Sequence, residues 1–187
     1  KNIPHQHYIF MIGVTHKQNR RWVHKTFCIE NVTLLEEYRI MNEFICYMYK
    51  HSPNPQVVYW HAEKMFWDKA VDNVFERVTT SMQKDIIIDT WVINHWVDLA
   101  SLLRKEGLVI RGVYSYKLKE VAYKLAEYGY ISLKKNNSSC MDGINAMFLA
   151  YNHFTTNSRK NVLSQIKKYN KIDCKMLYSI WEFFKKY

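Results

Sequence analysis

Asp173 and Tyr169 carry the clearest capacity for chemistry in this sequence. The stretch 161–185 reads as a helix, and advancing about 100° per residue from Val162 gathers Ile166, Tyr169, Met176, Leu177, Ile180 and Phe184 into one apolar stripe. Asp173 falls near the centre of that stripe, whereas Lys167, Lys168, Lys171, Lys175, Lys185 and Lys186 project from the opposite half. A carboxylate turned toward a core is costly unless it meets hydrogen-bond donors, a positive side chain or a bound cation. Two readings follow: Asp173 caps a neighbouring loop or pairs with an arginine, or it ligates a metal ion. Tyr169 lies one turn away on the same face, so the Tyr-x-x-x-Asp spacing sets a phenol beside that acid.

Those residues must be positioned by the elements before them. Tyr8–Val14, ending at Gly13, and Trp22–Ile29 read as a strand pair joined by a polar turn of His16, Lys17, Gln18, Asn19 and Arg20. Thr33 stands three residues before Glu36 in a capping arrangement that opens a helix to about Tyr49, and His51-Ser52-Pro53-Asn54-Pro55 stops it. Gln56–Trp60 fits a short buried strand. From Glu63 to about Met82 the pattern is helical, with Phe66, Ala70, Val74 and Val78 on one stripe. Ile86–Ile88 and Trp91–Leu99 fit strand or helix. Gly112 breaks the chain before a helix from Leu118 to Tyr128, with Gly129 as its C-terminal stop. Lys134–Asp142 is a polar loop, and helices over about 143–154 and 161–185 close the chain. A strand pair, helix, strand and helix followed mostly by helices predicts an α/β sheet layered with helices, as one domain over 1–187.

Composition narrows the class. With 187 residues, 48% hydrophobic and 16% aromatic, and only five Gly and three Pro, a disordered or collagen-like chain is excluded. No stretch approaches the ~18 apolar residues of a membrane span, and the first residues lack a signal-peptide pattern, so the expected chain is soluble and intracellular, with no membrane partner. Cys28, Cys46, Cys140 and Cys174 are far apart and fit no zinc-ligand spacing, which predicts reduced core thiols. The net charge of +10 favours a polyanionic partner, and residues 158–187 supply six of those positive charges through eight Lys or Arg against two acids. That end is either a solvated helix face or a surface that tracks a nucleic acid.

Tyr169-Asn170-Lys171-Ile172-Asp173-Cys174 resembles the third exonuclease motif of the tyrosine-type DEDD nucleases, and its Asn-x-x-Asp-Cys form is similar to the RNase H-like nuclease branch of bacteria and large DNA viruses. Ile9-Phe10-Met11-Ile12-Gly13-Val14, Trp60-His61-Ala62-Glu63, Val97-Asp98-Leu99, Tyr116-Lys117-Leu118-Lys119 and Asp142-Gly143 with Ala146 and Ala150-Tyr151 match that branch in the same order, over nearly the whole chain. The resemblance implies an RNase H-like mixed sheet flanked by helices, with a helical C-terminal half. It also implies a two-metal phosphodiester hydrolase using Mg²⁺ or Mn²⁺, acting as a 3′–5′ exonuclease on single-stranded DNA ends, in the cytoplasm or at a viral replication site.

The same resemblance distributes roles. Asp173 matches the third-motif metal ligand, and Tyr169 would orient or help to deprotonate the attacking water. Glu63 matches the second-motif acid by position, although Ala62-Glu63 departs from the usual aromatic–Asp pattern and a first-turn helix acid explains it too. Glu63 and Asp173 are expected to share the metal site. His61 would contact a phosphate or the scissile region, or is an ordinary strand-end histidine. Lys117 and Lys119 would meet substrate phosphates, or form a solvated helix start. Asp98 is expected as structural support. The family's first motif, Asp-x-Glu on an opening strand, would precede Tyr8 and is not in the sequence, so the expectation is an N-terminally incomplete domain that lacks two carboxylates and is inactive by itself. The competing function is a non-catalytic nucleic-acid-binding or scaffolding domain derived from such a nuclease; an endonuclease or RNA-directed enzyme would use the same metal chemistry.

Overall fold

The computed structural model describes residues 8–77, 91, 93–133, 142–156 and 161–186. Its first feature is a hairpin, β1 (Met11–Gln18) paired with β2 (Arg21–Cys28). Asn19 and Arg20 both adopt positive φ, 49° and 63°, as the tight two-residue turn between right-twisted strands requires. The strand therefore runs through Gly13 to Gln18, four residues beyond the expected run to Val14, and the turn shrinks to two residues. The chain divides into two compact units, Lys1–Ile12 with Phe27–Asp98, and Gly13–Thr26 with Leu99–Tyr187.

The first unit is built on α1 (Leu34–His51) and α2 (Glu63–Arg77), which pack together, and on the parallel pair β3 (Gln56–Tyr59) and β4 (His95–Asp98). Thr33 caps α1 as the spacing predicts, its hydroxyl accepting from the Glu36 N–H at 3.2 Å. The register sets Gln56 opposite His95 and Tyr59 opposite Asp98, so the C-terminal ends of both strands finish together. Phe44 meets Trp67 at 5.4 Å between ring centroids, and Trp67 lies 6.2 Å from both Trp91 and Trp96. This aromatic cluster corrects the expected stripe of α2. Trp67, Ala70 and Val74 are buried, while Phe66 is 38% exposed, because the wider indole bridges to α1 and the stripe rotates by one residue. Val78, the remainder of the helix toward Met82, and Ile86–Ile88 lie outside the described residues. The segment ambiguous between strand and helix resolves into both, β4 followed at once by a helix.

That helix, α3 (Leu99–Lys105), opens the helical part of the second unit, with α4 (Leu118–Glu127), α5 (Gly143–Thr156) and α6 (Asn161–Phe184). α4 and α5 both pack on α6. Val121, Ala122 and Leu125 of α4, Ala146 and Ala150 of α5, and Ile166, Met176 and Ile180 of α6 are buried, each large side chain contributing roughly 1.5–3 kcal/mol. Gly129 ends α4 as expected. At φ 78° its N–H bonds the Ala126 carbonyl, and the Tyr130 N–H returns to Leu125. The result is a mixed α/β fold of small two-stranded sheets flanked by helices, with only helices after Asp98 among the described elements. No helix among the described residues is long and apolar enough to cross a membrane.

Candidate active site

In the second unit the apolar stripe of α6 carries Asp173 into protein, as the helical spacing predicts. Its Oδ1 is buried with no hydrogen-bond partner among the described residues. The Tyr169 hydroxyl, one turn back, donates to the same carboxylate, and Lys119 of α4 lies with Nζ 4.3 Å above the Tyr169 ring. Burial pushes the Asp173 carboxyl above its ordinary range, and the Tyr169 hydrogen bond and the Lys119 charge pull the other way without cancelling it. Three of the residues singled out in sequence, Tyr169, Asp173 and Lys119, are thus gathered in one place.

The turn of α6 between Tyr169 and Asp173 is fixed by the hairpin arm. Asn170 lies so close to Gly13 that a Cβ there would fall 1.7 Å from Asn170 Oδ1, and the Cys174 thiol points to the Gly13 carbonyl at 3.6 Å. Asn170 and Cys174 therefore clasp β1 while Tyr169 and Asp173 face another way. Sequence reading missed this role of Gly13, taking it for a strand end; the signal was a glycine inside an otherwise continuous apolar run. On the same arm His24 bridges the Thr15 and Thr26 hydroxyls at 2.9 and 3.0 Å, and burial followed by the Lys171 charge lowers its pKa.

The first unit holds a second group of acids at the ends of β3 and β4. His61 takes φ 81°, a conformation non-glycine residues rarely adopt, and its N–H donates to Asp98 Oδ1 at 3.1 Å. Glu63, the first residue of α2, folds back so that Oε2 accepts the Ala62 N–H at 3.2 Å. Desolvation by surrounding protein raises the Glu63 pKa, its backbone hydrogen bonds oppose that rise, and the nearby Asp98 charge adds to it. Because Glu63 keeps an exposed face, water moderates these effects. His61, Glu63 and Asp98 therefore form one cluster. Asp98 accepts the His61 N–H, and Glu63 stands in the first turn of α2. A further acid, Glu37 on α1, is 1% exposed and accepts the Ile9 N–H at 2.7 Å; it escaped notice because a helix of alternating acids and apolar residues looks solvated.

Lys117 sits at the N-cap position of α4, exposed and without a capping bond, its charge acting on Glu120. No group of three or more His, Cys, Asp or Glu gathers among the described residues as a ready-made metal cage. The donor chemistry of Asp173 nevertheless fits a hard divalent ion, since its buried oxygen offers an anionic lone pair that no described hydrogen-bond donor satisfies.

A family model described as RNase_H superfamily matches residues 3–184. No curated protein and no solved structure matches the chain. A match over nearly the full length, on a mixed α/β fold whose sheets are flanked by helices, places this chain in the RNase H superfamily.

Proposed function

We propose that the chain is a metal-dependent nuclease domain that hydrolyses phosphodiester bonds of nucleic acid, degrading single-stranded DNA from the 3′ end in the manner of the DEDD exonucleases. Superfamily membership points to nucleic acid hydrolysis. The single observation that carries the finer reading is the half-buried Asp173 carboxylate, its Oδ1 buried and unsatisfied by any described donor, beside the Tyr169 hydroxyl and under the charge of Lys119. Asp173 of the second unit and, separately, Glu63 of the first would each be a ligand for Mg²⁺ or Mn²⁺; when bound, the ions would supply water activation and stabilisation of the leaving oxygen. Tyr169 orients the attacking water through its hydroxyl, and Lys119 meets a substrate phosphate, with Lys117 next to it along the strand. His61, at the turn held by Asp98, contacts the substrate near the scissile bond.

One observation favours a second reading. Glu63 and Asp98 both accept backbone N–H groups, which suits a scaffold, so a non-catalytic nucleic-acid-binding domain remains the alternative. End-labelled single-stranded DNA, incubated with Mg²⁺ or Mn²⁺ and with chelator, separates them, using the chain extended through any sequence that precedes Lys1 in its full-length form. A metal-dependent ladder shortened from the 3′ end, lost in Asp173→Asn, is the expected result; binding without hydrolysis in the extended chain overturns the proposal in favour of the scaffold.

A further inference from the structure

Two contacts fix how α4 runs along α6. Lys119 lies over the Tyr169 ring, and Tyr130, just beyond the end of α4, meets Phe183 at 5.2 Å. Residue numbers rise together between these contacts, so the two helices run in the same sense, and one turn onward from the Lys119–Tyr169 level brings Tyr123 level with Asp173. Four residues advance only about 40° around the axis, so Tyr123 shares the flank of Lys119 but is turned further from the buried stripe of Val121, Ala122 and Leu125. Its side chain is accordingly 51% exposed, and no hydrogen bond or ring contact holds it among the described residues. Ala126 follows on that flank and is too small to cover the ring.

We infer that Tyr123 is a stacking platform for an unpaired base of a single-stranded nucleic acid whose phosphate reaches Lys119. This rests on the reading of Asp173 and Tyr169 as the hydrolytic pair. An exposed phenol ring one helical turn from a cation is the combination that binds single strands without reading their sequence, because every base has a π face and every nucleotide a phosphate. The spacing is also right: one helical turn, about 5–6 Å, separates Lys119 from Tyr123, close to the distance between a phosphate and its own base. Tyr114 supplies the contrast. It is 96% exposed, but it belongs to the loop before α4 and acts electrostatically on Lys124, on the flank away from Tyr169.

The test is fluorescence anisotropy with a labelled oligothymidylate in chelator, so that no hydrolysis is needed. Tyr123→Ala should weaken binding roughly 5- to 150-fold, with Tyr123→Phe and Tyr123→Trp close to wild type and Tyr114→Ala unchanged. A series of oligonucleotides with one abasic residue moved along the strand gives the decisive signature. Wild type should lose affinity at one position, and Tyr123→Ala should be indifferent to that same position, which a merely structural tyrosine would not produce. Equal binding by Tyr123→Ala, equal weakening by Tyr114→Ala, or an abasic profile unchanged by the substitution overturns the inference. Because the readout is metal-free, such a result leaves the nuclease assignment standing, and failure of that assignment in the Asp173→Asn cleavage comparison does not alter the stacking profile.

Discussion

Two acid sites of this molecule place the same functional group in different surroundings. At the strand ends of the first unit, Asp98 and Glu63 accept peptide N–H groups around a left-handed His61, and their charges act on each other in the presence of water. On α6 of the second unit, Asp173 is carried into protein by the apolar stripe with one oxygen unsatisfied. A carboxylate that accepts peptide N–H groups stabilises a turn, and at Glu63 those bonds oppose the upward push that desolvation gives its pKa. One buried with a free lone pair loses stability in the charged form, and it persists only where another gain, such as a bound cation, offsets the cost. The contrast therefore separates an acid pair that holds backbone N–H groups from an acid with a buried oxygen that no described donor meets.

The sharpest way to break that contrast is to neutralise each acid in turn. Asp173→Asn keeps shape and removes one ligand charge, and metal-dependent hydrolysis should fall by roughly a thousand-fold or more, several kcal/mol of transition-state stabilisation. Glu63→Gln should lower the rate less, because its carboxylate is already shared with the Ala62 N–H. Single-turnover cleavage of end-labelled DNA by both variants, made in the same extended chain as above, compares them directly, and equal losses would mean that the two sites do the same work.

Next in size is the clasp that sets the Asp173 turn. Gly13→Ala drives a methyl into Asn170 Oδ1 and should destabilise the fold by about 1–3 kcal/mol in urea denaturation. Asn170→Ala in the same chain should recover most of that loss by removing the atom struck. If the double variant is no better than Gly13→Ala alone, the cost lies in the strand and not in the clasp.

A smaller effect concerns pH. Burial raises the Asp173 pKa, so the folded state holds its proton more tightly than the unfolded chain does. Its contribution to stability is fully present below the unfolded pKa of about 3.9 and is lost as pH rises through the elevated folded value. In chelator, thermal melts of wild type should therefore decline over that window more than those of Asp173→Asn, and Mn²⁺ should raise the wild-type midpoint but not the variant's. A variant as metal-responsive as wild type would remove Asp173 from the ligand set.

Much of this contrast could be read in the sequence on one side only. Asp173 and Tyr169 were legible because a 24-residue helix has a period, and an acid inside its apolar stripe violates it. The same logic placed the cap at Thr33 and the stop at Gly129, each a local backbone requirement met by a single residue. The first unit resisted because its information is not periodic. Trp67 displaces Phe66 from the core through contacts with Phe44, Trp91 and Trp96, residues far away in sequence. The pairing of Asp98 with the His61 N–H spans 37 residues and depends on the parallel register of β3 and β4, which no local pattern specifies. Gly13 belongs with these, since its partner Asn170 lies at the other end of the chain.

The gentlest probe addresses whether Asp98 and Glu63 act as a pair. Asp98→Asn retains a carbonyl oxygen able to accept the His61 N–H at the same place, so the left-handed turn and the fold should survive. What disappears is a negative charge whose proximity adds to the upward shift of Glu63, after the larger contribution of desolvation. The Glu63 carboxyl, followed by carbon-detected NMR across a pH titration in chelator, should therefore titrate at lower pH in the variant than in wild type. The shift should be modest, because Glu63 keeps solvent access and water screens the pair. Added salt should shrink the difference between the two proteins further, since only the Coulomb part responds to screening. An unmoved or raised Glu63 titration would show that Asp98 serves the His61 turn alone, and would leave desolvation and the backbone around Ala62 as the whole account of Glu63.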